Sequence, residues 1–410
     1  MSLFVAADFF AGAGGLSLGF AEAGYRIAFA NELVPDYATT YEQNHPDTRV
    51  FRADIRDLTT KDIFRATGLA KNDVDLLFGG PPCQGFSINA PTRSTGDERN
   101  QLFRHYGRLV LEGLRPKVIV MENVPGMLSL DQGQFIRDVY SLFEGAGYHL
   151  RHMVLCAAHY GVPQERWRLF IIGTILKREI TFPEPTHYAP VRANFTGGQR
   201  LTWLPMISNG FRSPSLFDQF LLPFTRVKDA IGDLPTLGIN DGSEEMAYTR
   251  RARSPYQECM RRNSTVLTNH VAGALSPQNL QRLKHIPPGG SWRDIPHGLL
   301  PAGMQRARRS DHTRRYGRLD PAGLSGTILT KCDPHWGTFF HYDQDRTLTV
   351  REAARLQSFP DHYRFTGSRV SQYEQVGNAV PPLLATALAT HIKETLFGVT
   401  DDHRLLEQTA

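Results

Sequence analysis

Cysteine is scarce in this chain. Its 410 residues hold four, Cys83, Cys156, Cys259 and Cys332, all far apart. No CxxC pair and no Cys/His cluster occurs, which argues against a zinc site or a disulfide framework and fits a reducing cytoplasm. No apolar run approaches the ~18 residues of a membrane span. The short apolar start reaches Asp8 without a basic flank, so no secretory leader is expected. Internal repeats and low-complexity tracts are missing. Negative charge is nearly missing from one stretch: residues 250–318 carry 14 Lys and Arg but only 3 Asp and Glu. Against a total of +5, that surplus of eleven leaves −6 for the remainder. Such asymmetry suggests a docking surface for a polyanion. The 41% hydrophobic and 21% charged content is that of a globular chain, long enough for two or three domains.

What is present alternates. Apolar runs at 2–10, 26–32, 74–80, 117–124 and 167–174 read as strands, and amphipathic stretches at 16–23, 36–44, 102–114 and 135–146 read as helices. This βαβα order predicts an α/β fold with a doubly wound, mostly parallel or mixed sheet. The alternation fails near Phe182, where Pro and Gly punctuate the chain. The expected division is a catalytic and cofactor-binding domain at 1–185, a smaller irregular basic domain at 186–371 with its core at 250–318, and a segment at 372–410 that returns to the first domain. That return is a helix over 381–397, with Leu384, Leu388, Ile392 and Leu396 at four-residue steps.

The richest motif is Gly79-Gly80-Pro81-Pro82-Cys83-Gln84-Gly85-Phe86-Ser87. It places Cys83 in a stiff loop just after a buried parallel strand, facing the crevice where open α/β sheets bind ligands. A lone Cys is often only a small hydrophobe; the companion motifs argue otherwise. Phe10-Ala11-Gly12-Ala13-Gly14-Gly15 ends the first strand and opens a helix, and glycine lets backbone approach a ligand closely. Ser17 stands where a dinucleotide fingerprint has its third glycine, so an adenine-ribose cofactor without pyrophosphate fits better. Glu32 ends the second strand, placed to hold ribose hydroxyls, and Asp54 could accept from an adenine amine. Glu122 sits at the end of another buried strand, where a carboxylate is costly unless paired or solvated. Arg166 and Arg168 alternate ahead of a strand and would point to one face. Near the C-terminus, Arg351-Glu352-Ala353-Ala354-Arg355-Leu356-Gln357 reads as a structural helix, and Gly377-Asn378-Ala379-Val380-Pro381-Pro382 as a helix-initiating turn.

Taken together and in this order, these blocks resemble the DNA (cytosine-5) methyltransferases, over roughly 1–175 and 345–397. The resemblance implies the S-adenosylmethionine-dependent methyltransferase fold and transfer of a methyl group to C5 of a flipped cytosine in duplex DNA, with no metal. Cys83 would be the nucleophile at C6, Glu122 the partner of the cytosine N3 and amine, Arg168 a contact near O2, and Arg166 an aid to the thiol. Cofactor contacts carry over to Phe10, Gly12, Gly14, Glu32, Asp54, Pro82, Leu102, Asn378 and Val380. Gln84 and Ser87 would meet DNA, and the loop at 86–100 would close over the flipped base. The basic segment would be the target-recognition domain, with Arg306, Arg308, Arg309, Arg314 and Arg315 on phosphates or bases. Residues 286–294 and 316–319 resemble the branch that includes the animal maintenance enzymes, which hints at a CpG within the target. The chain resembles a bacterial, cytoplasmic type II modification enzyme acting as a monomer and paired with a restriction endonuclease. Three other readings compete: a transfer-RNA cytosine-5 methyltransferase, disfavoured by the long basic middle; a non-catalytic DNA-binding module, disfavoured by intact Cys83 and Glu122; and a nicotinamide dehydrogenase, weakened by Ser17.

Overall fold

A computed structural model of the chain describes residues 4–81, 102–191, 221–311 and 314–399. Seven strands form the central sheet: β1 (Val5–Phe9), β2 (Arg26–Asn31), β3 (Arg49–Phe51), β4 (Leu76–Gly79), β5 (Val118–Asn123), β6 (His149–Cys156) and β7 (Trp167–Thr174). Their order is β3-β2-β1-β4-β5-β7-β6. β1 pairs in parallel with β2 and β4, β4 with β5, and β2 with β3. β7 runs antiparallel to both β5 and β6, so the sheet is mixed by one reversed strand. The expected doubly wound α/β fold is the one observed.

Helices α1 (Gly15–Glu22), α2 (Pro35–Asn44), α3 (Thr60–Thr67), α4 (Leu102–Leu109) and α5 (Gln134–Glu144) follow the strands, with a π-turn at Val110–Leu114 completing the stretch expected as one helix. Strands buried on both faces need apolar residues at every position, and alternate residues serve different cores. Leu77 and Ile119 face a core with Phe103, Tyr106, Phe135 and Phe143. Leu76, Phe78, Val118 and Val120 face the other core, which contains Phe20 from α1.

Beyond the sheet lie α6 (Val227–Ile231), α7 (Pro255–Arg261), α8 (Pro277–Leu283), α9 (Val350–Leu356), α10 (Arg369–Asn378) and α11 (Pro382–Thr395). α11 supplies Leu384, Leu388 and Ile392, all fully buried, to the core shared with α1. A two-stranded antiparallel ribbon pairs Gly242–Met246 with Leu267–Val271. The expected irregular middle thus contains regular elements. Elsewhere β3, α3, β6 and α10 went unanticipated. The edge strand β6 alternates exposed His149 and Arg151 with buried Leu150 and His152, so its polar residues hide the apolar run. α10 buries Ser371, Gln372 and Gln375 alongside Val376, which blurs its amphipathic signature.

Around α9 the core is ionic. Arg355 pairs with Asp233 at 2.7 Å and with Asp361 at 2.6 Å, and all three are fully buried. Arg346 pairs with Glu352 at 2.6 Å, and Glu352 also closes a capping box with Thr349. Arg351 spends its guanidinium on the Thr268 and Tyr363 carbonyls and the Thr268 hydroxyl, among others. The Arg-Glu-Ala-Ala-Arg block is structural, as expected, and its charges are inside the molecule.

Candidate active site and cofactor cleft

The carboxyl ends of β1, β4 and β5 open onto a cleft of about 1600 Å3. β1 and β4 are neighbours from which the chain winds in opposite directions, the position where open α/β sheets place ligands.

At β4 the chain approaches β1 so closely that a Cβ on Gly79 would lie 2.2 Å from the Phe9 carbonyl oxygen. A Cβ on Gly80 would lie 3.0 Å from Glu122 Oε2. The Asn123 side chain donates to the Pro81 carbonyl at 3.1 Å. These contacts hold Gly80 and Pro81 beside Glu122 and Asn123, two residues short of Cys83 in the sequence. Cys83 itself, Pro82, Gln84, Ser87 and the whole 86–100 loop lie outside the described residues.

Glu122 is on β5 and Arg168 on the antiparallel β7. Arg168 Nε meets Glu122 Oε1 at 2.9 Å, with each side chain 13% exposed. Burial pushes the Glu122 carboxyl up from its ordinary range, and the positive charges of Arg168 and Arg166 pull it partly back. Arg166 reaches the same surroundings from below. It is fully buried and donates to the Ile328, Gly377 and Ala379 carbonyls, at 3.2, 2.8 and 2.9 Å. Its guanidinium therefore braces the cleft floor while acting on Glu122 through its charge.

The second half of the cleft is built on the turn after β1. Phe10 adopts φ 59°, uncommon and strained for a bulky residue, and lines the cleft. Gly12, at φ +57°, has nothing within 4 Å of where a Cβ would sit, so its backbone is open to a ligand. Its N–H donates to Glu32 Oε2 at 2.7 Å, and Val34 N–H donates to Glu32 Oε1 at 2.8 Å. Gly14 serves packing instead: a Cβ there would meet His45 Nε2 and the Tyr363 hydroxyl, both at 2.7 Å. Asn31 donates to the Ala53 carbonyl at 2.7 Å and so fixes the approach to Asp54. Asp54 accepts from Arg56 Nη2 at 2.7 Å, and that bond holds its carboxyl below the usual range. Leu102, Asn378 and Val380 complete this wall.

One buried group here lacks a partner. Asp8 accepts from Ser17 through Oδ2 at 2.7 Å, but its Oδ1 has no hydrogen bond among the described residues. Burial pushes its carboxyl well above the ordinary range. A buried acceptor left unmet costs about 1–3 kcal/mol, and Asp8 lines the cleft. The site therefore suits a ligand with an N–H donor beside a ribose and an aromatic ring. Among the described residues no group of three or more His, Cys, Asp and Glu could hold a metal, and no helix is long and apolar enough to cross a membrane.

The opposite wall comes from the basic segment. Arg314 meets Glu165 at 2.8 Å. Arg315 lies over the Trp336 ring, 4.9 Å from its centroid, and Trp336 is 55% exposed in the cleft. Arg306, Arg308 and Arg309 are exposed outside it, with Arg309 donating to the Arg293 carbonyl.

The family model for C-5 cytosine-specific DNA methylases matches residues 4–394. The chain belongs to this family. Among curated relatives it is 35% identical to the type II methyltransferase M.AgeI of Thalassovita gelatinovora, over 94% of this chain and 98% of that one. It is likewise 35% identical to M1.HphI of Haemophilus parahaemolyticus, over 93% and 84%. Among solved structures it resembles a candidate DNA modification methyltransferase encoded within an E. coli prophage, with a TM-score of 0.69 and 26% identity over 96% of this chain and 99% of that one. Spodoptera frugiperda DNMT2, at 16% identity and a TM-score of 0.54, shares the fold.

For this methylase, the cleft brings together the described residues singled out in the sequence, apart from Gly14, which lies beneath the turn, and Arg306, Arg308 and Arg309, which lie outside. Asp8, Asn31, Asn123 and Trp336 had not been assigned roles. Asp8 opens the glycine motif and Asn123 follows Glu122, so adjacency was the available signal. Trp336 gave none, because exposure of an aromatic ring cannot be read from a sequence.

Proposed function

We propose that this chain transfers a methyl group from S-adenosylmethionine to C5 of a cytosine flipped out of a specific duplex DNA sequence. The observation that carries this reading is the Glu122–Arg168 pair, set beside the Pro81 exit from which the Cys83 loop departs. C5 of cytosine is a weak nucleophile. Addition of a thiolate at C6 makes C5 enamine-like, which requires a Cys and an acid at one base. Cys83 is that nucleophile. Glu122, held toward its protonated form by burial, hydrogen-bonds N3 and the amine and neutralises charge that develops at N3. Arg168 orients Glu122 and contacts the base near O2. Arg166 keeps the floor in place through three carbonyls. Loss of the C5 proton and departure of the Cys83 sulfur restore the aromatic ring.

S-adenosylmethionine supplies the methyl group, activated on a sulfonium. The residues present fit it: Phe10 for the adenine face, Glu32 for the ribose, Asp54 for the adenine amine, and the unmet Asp8 Oδ1 for the ammonium. Gly12 gives close backbone; Pro82, Leu102, Asn378 and Val380 surround the group. Arg314 and Arg315, with Gln84 and Ser87, meet the DNA; Arg306, Arg308 and Arg309 grip phosphate farther out. Residues 1–185 form the catalytic domain, 186–371 the target-recognition domain and 372–410 the returning segment. The chain works as a cytoplasmic monomer, protecting host DNA from a partner restriction endonuclease.

Methylation sequencing of DNA from a methylation-free host expressing the chain tests this reading. Fully modified cytosines in one short motif are expected. No gain in DNA methylation by a protein that binds S-adenosylmethionine would move the substrate to RNA. Cys83→Ala is expected to abolish turnover and leave duplex binding largely intact in a mobility-shift titration; loss of both would make Cys83 structural.

A further inference from the structure

Glu165 has no part in the chemistry above, yet both its carboxylate oxygens are engaged at the cleft wall. Oε1 accepts from Trp167 Nε1 at 3.4 Å and Oε2 from Arg314 Nη2 at 2.8 Å. Its backbone is fixed as firmly: its N–H donates to the Ser325 carbonyl at 2.9 Å, and the Thr327 hydroxyl donates to its carbonyl at 2.9 Å. Gly326 lies between those two residues, and a Cβ there would stand 3.0 Å from Arg314 Nη1. The missing side chain makes the space in which the guanidinium lies. Arg314 thus has a built seat, made by a carboxylate on the β7 approach and a glycine on the facing segment. The seat lines the cleft, three residues along the chain from Arg168. The Arg314 side chain remains 50% exposed, and Nη2 to Glu165 is its one hydrogen bond as a donor among the described residues. A guanidinium has five donors in a rigid fork.

We infer that Glu165 is a positioning and specificity-determining residue: it seats Arg314 so that the fork meets one phosphate beside the flipped cytosine, and its negative charge keeps that arginine from gripping DNA at large. The inference rests on the proposed action on duplex DNA. A free arginine on a flexible stem attracts any phosphate, and each such contact adds about one to the salt dependence of binding. An arginine neutralised on one side and fixed in direction gains full contact only when the duplex is docked in the reactive register. Seating also removes rotamer freedom before DNA arrives, which lowers the cost of the productive contact.

The test uses the full chain with Glu165→Gln, Arg314→Gln and the double variant. Substrates are a short duplex with the motif found by methylation sequencing, and the same duplex with the motif shuffled. Gln keeps the size of Glu165 and loses its charge. Glu165→Gln is expected to tighten binding of the shuffled duplex, steepen its salt dependence by about one unit, and lower kcat/KM on the motif. The ratio of motif to shuffled affinity should fall about tenfold, the scale of one charge-assisted hydrogen bond. In the Arg314→Gln background, Glu165→Gln should change that ratio no further. An equal fall in activity and melting temperature with the ratio intact would make Glu165 merely structural and overturn the inference. So would an undiminished effect of Glu165→Gln without Arg314. A wild-type chain that methylates no duplex would overturn the reading of function, and the inference with it.

Discussion

Glu122 is under two opposing pressures. Burial favours its neutral acid, and the guanidinium at 2.9 Å favours its anion. The net shift is upward, toward the neutral form that the proposed mechanism requires of it. A group with a raised pKa holds its proton at higher pH, so the contribution of Glu122 as an acid is present below that pKa and is lost as pH rises through it. Glu122→Gln keeps the shape and a donor but removes the titration. Its kcat should fall by about 10²–10⁴-fold, and the alkaline limb of the kcat–pH profile should disappear. A profile unchanged in shape would remove Glu122 from the chemistry. This residue was legible because a carboxylate ending an apolar strand is costly without a purpose. Glu32 was legible from its place at the end of the second strand, where a carboxylate can hold ribose hydroxyls. The unmet oxygen of Asp8 and the seat of Arg314 were not, because both depend on contacts across long stretches of chain.

At the scale of elements, α1 and α11 approach through a glycine. A Cβ on Gly19 would lie 2.4 Å from Ala385 Cβ and 2.6 Å from both the Pro382 carbonyl oxygen and the Thr386 nitrogen. Two of those three neighbours are backbone and cannot step aside. Gly19→Ala should therefore destabilise the fold by about 1–3 kcal/mol through overpacking, despite the better helix propensity of alanine, with a lower melting temperature as the readout. A gain in stability would mean that the helices separate freely. The four-residue apolar rhythm of α11 made this helix readable from the sequence. α7 and α8 left signals too: Ser254-Pro255 and Ser276-Pro277 each place a capping serine before a first-turn proline. The Pro/Gly-rich surroundings outweighed those caps. β6 left no such mark and α10 only its capping Ser368, and their buried positions include His152, Ser371 and Gln375.

At the scale of the whole molecule, the ionic core around α9 ties stability to pH. The Arg346 guanidinium beside Glu352 holds its carboxyl far below the ordinary 4.5, and Arg355 holds Asp361 below the ordinary 3.8. Carboxylates with depressed pKa values add stability that is fully present above those ordinary values and is lost as pH falls below them. The melting temperature should hold near neutrality and drop steeply below about pH 4.5, and Glu352→Gln should flatten part of that slope at the cost of stability at pH 7. Arg355→Met would remove the cation that Asp233 and Asp361 share, leaving Asp233 to Arg261 and Asp361 to the Tyr248 hydroxyl and the more distant Arg351, a loss of about 3–5 kcal/mol measurable by denaturant unfolding. The Tyr363 hydroxyl, in the segment that follows α9, donates to the Ala13 carbonyl across 350 residues of chain. Asn378 and Val380 then share the cleft with Phe10 and Gly12. During synthesis the ribosome makes the glycine turn early and these partners very late. A nascent chain therefore carries an open half-cleft until Val380 has cleared the exit tunnel, and a transcript cut short before that codon yields no fragment able to methylate.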